Sequence, residues 1–111
     1  MFALAYGLGI ARGMGVHVRK VRAGRANMFL SDLFAETFST ITGATVELFN
    51  TDGSQGAARG AGIGAGFYKS PAEAFAGLKT VKVIEPDANP EPCREAYRRW
   101  EGVLERDCLN R

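Results

Sequence analysis

Histidine is nearly missing from this 111-residue chain: His17 is the only one, and the cysteines number just two. No His, Cys or carboxylate cluster falls at metal-ligand spacing, which leaves a zinc site without support. Cys93 and Cys108 stand fifteen positions apart in what reads as one final helix. A continuous helix would hold them roughly 22 Å apart at about 1.5 Å per residue, too far for a disulfide, and free thiols agree with a reducing compartment. Charge of one sign is also lacking. The net +2 is spread among interleaved acids and bases, so no nucleic-acid face is expected. There is no apolar run long enough to span a bilayer. Met1 to Ala11 is apolar, yet short and without the basic leader and cleavage pattern of a secretory signal. A cytoplasmic protein with no membrane partner is expected.

What is present is an alternation of helices and strands without a linker. Rows Phe2, Tyr6, Ile10 and Leu4, Leu8, Ala11 predict a first helix over about Phe2 to Met14, with Gly15 as its stop. A strand over Val16 to Ala23 should follow, then a helix over about Met28 to Thr42 ended by Gly43, then a strand over Thr45 to Phe49. Two strands joined by one helix predict a right-handed parallel crossover. A third helix is expected over about Ser54 to Phe67. Ser70, Pro71 and Glu73 carry the signature of a capped helix start, with a short helix through Leu78. Val81, Val83 and Ile84 read as extended up to Pro86. A last helix from about Pro90 to Leu109 lines up Cys93, Tyr97, Trp100 and Leu104, a face expected to dock on the body of the domain.

The stretch VRKVRAGRANMFLSDLF, Val18 to Phe34, holds most of the functional information. A strand breaks at Gly24 into an amphipathic helix carrying Phe29, Leu30, Leu33, Phe34, Phe38 and Ile41. Small residues at Ala23 and Gly24 would let a ligand approach the backbone. A helix starting near Asn27 would aim free N–H groups and a positive dipole end at a phosphate over the turn. An ordinary strand-to-helix connection reads equally well from these residues. Gly56, Gly60 and Gly64 form one stripe on the third helix, beside Ala57, Ala61 and Ala65. Each interior glycine costs up to about 1 kcal/mol against alanine, so close packing against a neighbouring backbone or a bound nucleotide is expected to hold that helix.

Other chemistry finds less support. Lys69 and Ser70 fail as a Walker end, since Tyr68 stands where a glycine is needed. Gly60, Gly62 and Ala65, with Glu85 as a ribose acid, sketch a Rossmann pattern, but the glycines fall inside a helix instead of directly after a strand. Asp32 and Glu36 read as a solvated face. Asp52, in the NTDGS turn, reads as a cap of the third helix rather than an acid or base.

Three blocks in order, VRAGRANMFLSDLF, TDGSQGAARGAGIGAG, and SPAEAF followed by a Tyr and Trp helix, resemble the C-terminal half of FGGY carbohydrate kinases, most closely xylulokinases, from Gly7 to about Leu104. The departure from the family is at Arg22 and Ala23, where it commonly has consecutive glycines; Gly24 alone remains. The resemblance implies an α/β chain, a single domain over residues 1–111 forming part of an actin/Hsp70/sugar-kinase, ribonuclease H-like ATPase domain. It implies phosphoryl transfer from ATP to a sugar hydroxyl, with ATP or ADP and Mg as cofactors, Mg not being held directly by this chain. Ala23, Gly24, Arg25 and Asn27 would contribute the adenosine pocket, with Ala23 and Gly24 near ribose and phosphate and Asn27 bonding adenine or ribose. The sugar and the proton-accepting Asp would belong to an N-terminal domain missing here, so Met1 reads as a start inside a larger frame and this stretch alone is expected to be inactive. A homodimer stays open. The alternatives are a Rossmann-like nucleotide-binding module and a non-catalytic kinase-derived interaction domain.

Overall fold

Three short strands carry the fold, and they lie in the order β1 (Lys20–Gly24), β2 (Thr45–Phe49), β3 (Thr80–Ile84) in a computed structural model that describes residues 1–110. β1 and β2 run parallel, with Val21 beside Val46 and Ala23 beside Leu48, as expected for two strands joined by a helix. β3 returns antiparallel on the other side of β2, with a bulge between Leu48 and Phe49. The result is mixed α/β with a small mixed sheet.

Alternation along β2 decides the layers. Val46 and Leu48 are fully buried, whereas Thr45, Glu47 and Phe49 point to the opposite, half-exposed face. Onto the buried face pack α1 (Phe2–Gly13) and α2 (Asp32–Thr42), and Ala5, Ala35, Phe38, Val46, Leu48 and Ile84 form the core. α5 (Glu91–Val103), extended by a π-helical turn over Leu104–Leu109, docks on this layer through its predicted face. Tyr97 and Trp100 meet Phe2 at ring separations of 5.7 and 5.8 Å, and Trp100 meets Tyr6 at 6.1 Å. Such aromatic pairs add about 0.5 to 1.5 kcal/mol each beyond the area they bury.

α2 ends where the sequence signals it: Gly43 adopts the left-handed conformation at φ 69° and bonds the Ser39 carbonyl. Polar side chains in this last turn are buried and satisfied. The Ser39 hydroxyl donates to the Ala44 carbonyl at 2.7 Å, and the Thr42 hydroxyl donates to Phe38 at 2.7 Å.

α3 (Gly53–Gly64) and α4 (Pro71–Ala74) stand apart from this core and pack chiefly on each other. No residue of α3 is buried. The radius of gyration, 16.6 Å, accordingly exceeds the roughly 13 Å of a compact domain of this length. This corrects the expectation drawn from the glycine stripe. A Cβ at Gly56, Gly60 or Gly64 would meet nothing within 4 Å, so no neighbouring backbone approaches there. The close approach lies off the stripe, at Gly62, two positions from Gly60 and Gly64, where a Cβ would fall 2.8 Å from the Tyr68 ring.

Boundaries differ from the sequence expectations elsewhere too, α3 ending at Gly64 and not Phe67. β1 begins at Lys20, not Val16, because its partner strand begins at Thr45, which lies opposite Lys20. Capping of α4 follows the expected pattern, Glu73 N–H donating to the Ser70 hydroxyl at 3.2 Å, but the Glu73 carboxylate accepts from the Lys69 N–H and the helix stops at Ala74.

Candidate functional site

The carboxyl ends of parallel β1 and β2 open on the same side of the sheet, which is where open α/β sheets take ligands. Two turns meet there. One is Gly24 to Asn27 after β1, and the other is Asn50 to Asp52, between β2 and α3.

Their contact explains Gly24. A Cβ on it would sit 2.4 Å from the Thr51 carbonyl oxygen and 3.0 Å from its carbon, so the second turn lies directly against the first. Gly24 is thus needed for an approach within the chain, and on that side its backbone is covered, not offered to a ligand. The Arg25 N–H donates to the Phe49 carbonyl at 2.9 Å, and the Ala26 N–H donates to the Gly24 carbonyl at 2.9 Å. Both donors are therefore consumed in shaping the turn.

The helix expected to start near Asn27 starts at Asp32. Ala26 is extended, Asn27 sits at φ 52°, and only a single 3-10 turn, Asn27–Leu30, intervenes before Ser31 caps α2 by accepting from the Phe34 N–H at 3.2 Å. A residue at positive φ cannot continue an α-helix, and asparagine is among the few that accept that conformation. The free N–H groups and dipole end expected over the nucleotide turn are consequently absent from it. The signal that locates the true start is Ser31 followed by Asp32 in the first helical turn. Phe29 fastens the 3-10 turn to α2 by edge contacts with Phe34 and Phe38 at 5.1 and 6.2 Å.

Ala23, Gly24, Arg25 and Asn27 are nonetheless brought together around shallow, adjoining concavities. Arg25, Ala26 and Asn27 share one of about 390 Å³ with Asn50, Thr51, Asp52 and Gln55. Ala23 and Gly24 line a second of about 420 Å³ with Phe49, Thr51, Phe75 and Leu78. Each lies at the small end of the range for ligand sites. Ala23 also packs on the core, which fixes the first wall, while Arg25 and Asn27 are exposed.

The second turn supplies residues that sequence reasoning assigned no binding role. The Thr51 hydroxyl accepts from Arg59 Nη1 at 2.8 Å, so α3 holds that side chain from below. Asp52 caps α3, accepting from the Gln55 N–H at 2.8 Å and the Ser54 hydroxyl at 2.6 Å, as the NTDGS pattern predicts. These bonds, that of Ser54 foremost, hold its carboxyl below the ordinary value. An ionised Asp52 occupies the α3 N-terminus, so an anion meets a negative charge there instead of free amides.

Asp32, one turn from Glu36 on the exposed side of α2, has a structural partner: Lys82 on β3 donates to it at 2.7 Å and lowers its pKa. His17 is exposed and lies away from this region. Among the described residues no group of three or more His, Cys, Asp or Glu side chains could hold a metal ion, and no helix is long and apolar enough to cross a membrane. Cys93 and Cys108 are both free. No protein-family model matches this chain, and no curated protein matches it.

Proposed function

We propose that this chain is the nucleotide-side part of an ATP-dependent carbohydrate kinase of the FGGY type, in which the paired turns after β1 and β2 receive the adenosine part of ATP or ADP. The observation that carries the reading is the convergence of Ala23, Gly24, Arg25 and Asn27 with Thr51 beside one open concave region at the carboxyl ends of two parallel strands. Ala23, Gly24, Arg25 and Asn27 are the residues to which the resemblance gives the adenosine pocket, and their adjacency to the TDGS block supports that resemblance.

The donor set suits a nucleoside better than a phosphate. Asn27 offers an exposed amide with a donor and an acceptor, as an adenine edge or a ribose hydroxyl requires. Thr51 adds a hydroxyl, and Phe49, Phe75 and Leu78 add apolar surface for a ring. Arg25 contributes a cation at the rim. Phosphoryl transfer depends on positioning and charge stabilisation, and in this reading the triphosphate, its magnesium and the sugar are held by the N-terminal part of the enzyme. The chain's share is to bind and orient the nucleotide.

Asn27→Gly tests this with little disturbance to the fold, because glycine accepts the positive φ that Asn27 adopts. Loss of one neutral hydrogen bond, about 0.5 to 1.5 kcal/mol, should weaken ADP binding by roughly two- to tenfold in calorimetry while the melting temperature changes little. Unchanged affinity would remove Asn27 from the site.

A further inference from the structure

β1 is an outer strand, and its free side borders a groove. Arg19 O accepts from the Thr45 N–H and Arg25 N–H donates to Phe49 O, so the odd-numbered residues of this strand bond β2. In a parallel ladder the even ones then face outward: Lys20 and Arg22 turn out both N–H and C=O, and Gly24 its N–H alone, its C=O accepting from the Ala26 N–H. Beside that edge, between α1 and β1, runs an apolar groove of about 450 Å³ whose walls include Leu4, Leu8, Val21, Ala23, Phe29 and Phe38. Val21 and Ala23 reach it because they share the face of Val46 and Leu48.

The charge along this edge is of one sign. Arg19, Lys20, Arg22 and Arg25 fall within seven residues with no acid among them. Glu47, from β2, answers Lys20 at 2.8 Å and Arg22 at 3.1 Å, and Arg25 lies near enough to Asp32 to help lower its pKa. Paired with a second copy of itself, β1 would set this row of cations against an identical row, which disfavours self-association through the edge. An acidic strand would instead meet complementary charge.

We propose that β1 accepts, by strand addition, an extended polypeptide segment in which acidic and apolar residues alternate. Its backbone pairs with the outward groups of Lys20, Arg22 and Gly24. Its apolar side chains enter the groove under α1, and its carboxylates lie beside Lys20 and Arg22 on the opposite face. This rests on the edge and the groove, not on the nucleotide reading.

The probe is an end-capped heptapeptide of alternating glutamate and valine, added at millimolar concentration to the whole chain and followed by NMR. Hydrogen exchange of the Lys20, Arg22 and Gly24 amides should slow by roughly tenfold near saturation, and the Leu4 and Leu8 methyl signals should shift. Arg22→Glu should weaken binding roughly fivefold, as expected when one attractive cross-strand pair becomes repulsive, and Arg22→Gln by less. Absence of amide protection, equal binding of a lysine and valine heptapeptide, or equal binding of polyglutamate would overturn the proposal. So would concentration-dependent protection of the same amides without peptide, which would assign the edge to a second copy.

Discussion

Gly24→Ala isolates the contact on which the geometry of the site depends. Gly24 is not at positive φ, so alanine suits its own backbone. At such a position the substitution ordinarily stabilises by about 0.4 to 1 kcal/mol, through the unfolded chain. Here the new methyl would fall 2.4 Å from the Thr51 oxygen and 3.3 Å from the Asp52 Cα. Both are backbone atoms, and relieving the first overlap requires the second turn to retreat by the better part of an ångström. That movement strains the neighbouring Arg25 to Phe49 bond and the Asp52 cap of α3. Overpacking of this kind costs about 1 to 3 kcal/mol, which outweighs the entropic gain. At about 4 °C or more per kcal/mol for a chain of this size, the melting temperature followed by circular dichroism should fall by roughly 5 °C. An unchanged or raised melting temperature would show that the two turns are not in contact, and the concavity they frame would lose its basis.

Gly60→Ala should have the opposite sign. Its Cβ meets open space, so helix propensity should raise stability by up to about 1 kcal/mol; a loss in a urea melt would mean that something packs on the α3 stripe. The pair of Asp32 with Lys82 predicts an acid-side effect. Because the folded pKa of Asp32 is lowered, its stabilising contribution is present above the unfolded value of about 3.9 and is lost as pH falls through the folded one. Asp32→Asn should therefore flatten the decline in stability below about pH 4, and identical acid profiles for the two proteins would discount the pair.

Most of the element order was legible because each element carries its own punctuation: Gly43 ends α2, Asp52 starts α3 and Ser70 starts α4 through bonds made by those residues themselves. The parallel pairing of β1 and β2 was legible from the helix between them. The starts of β1 and α2, the end of α4 and the packing of α3 were not. The start of α2 was misplaced because the apolar spacing continues backward through Phe29 and Leu30, while the extended backbone of Ser31, which makes Asp32 the first helical residue, leaves no periodic trace. The glycines of α3 suggested packing because their cost in a helix demands compensation, but spacing alone cannot say whether a neighbour is present. The four residues picked out by resemblance, Ala23, Gly24, Arg25 and Asn27, share one turn by their places in the sequence. Thr51 escaped notice because its role rests on a backbone contact across the sheet, between positions far apart in sequence.

An NMR titration of the whole chain with ADP, and separately with NAD, tests the central claim most directly. Affinity in the millimolar range, about 4 kcal/mol of binding free energy, is enough to read. The nucleotide account predicts shifts centred on the Ala23 to Met28 backbone and on Asn50 to Asp52 for both ligands, with the Asn27 side-chain amide among the most affected. Shifts centred on Gly60 to Ala65 with NAD alone, or none at saturating ligand, would contradict it.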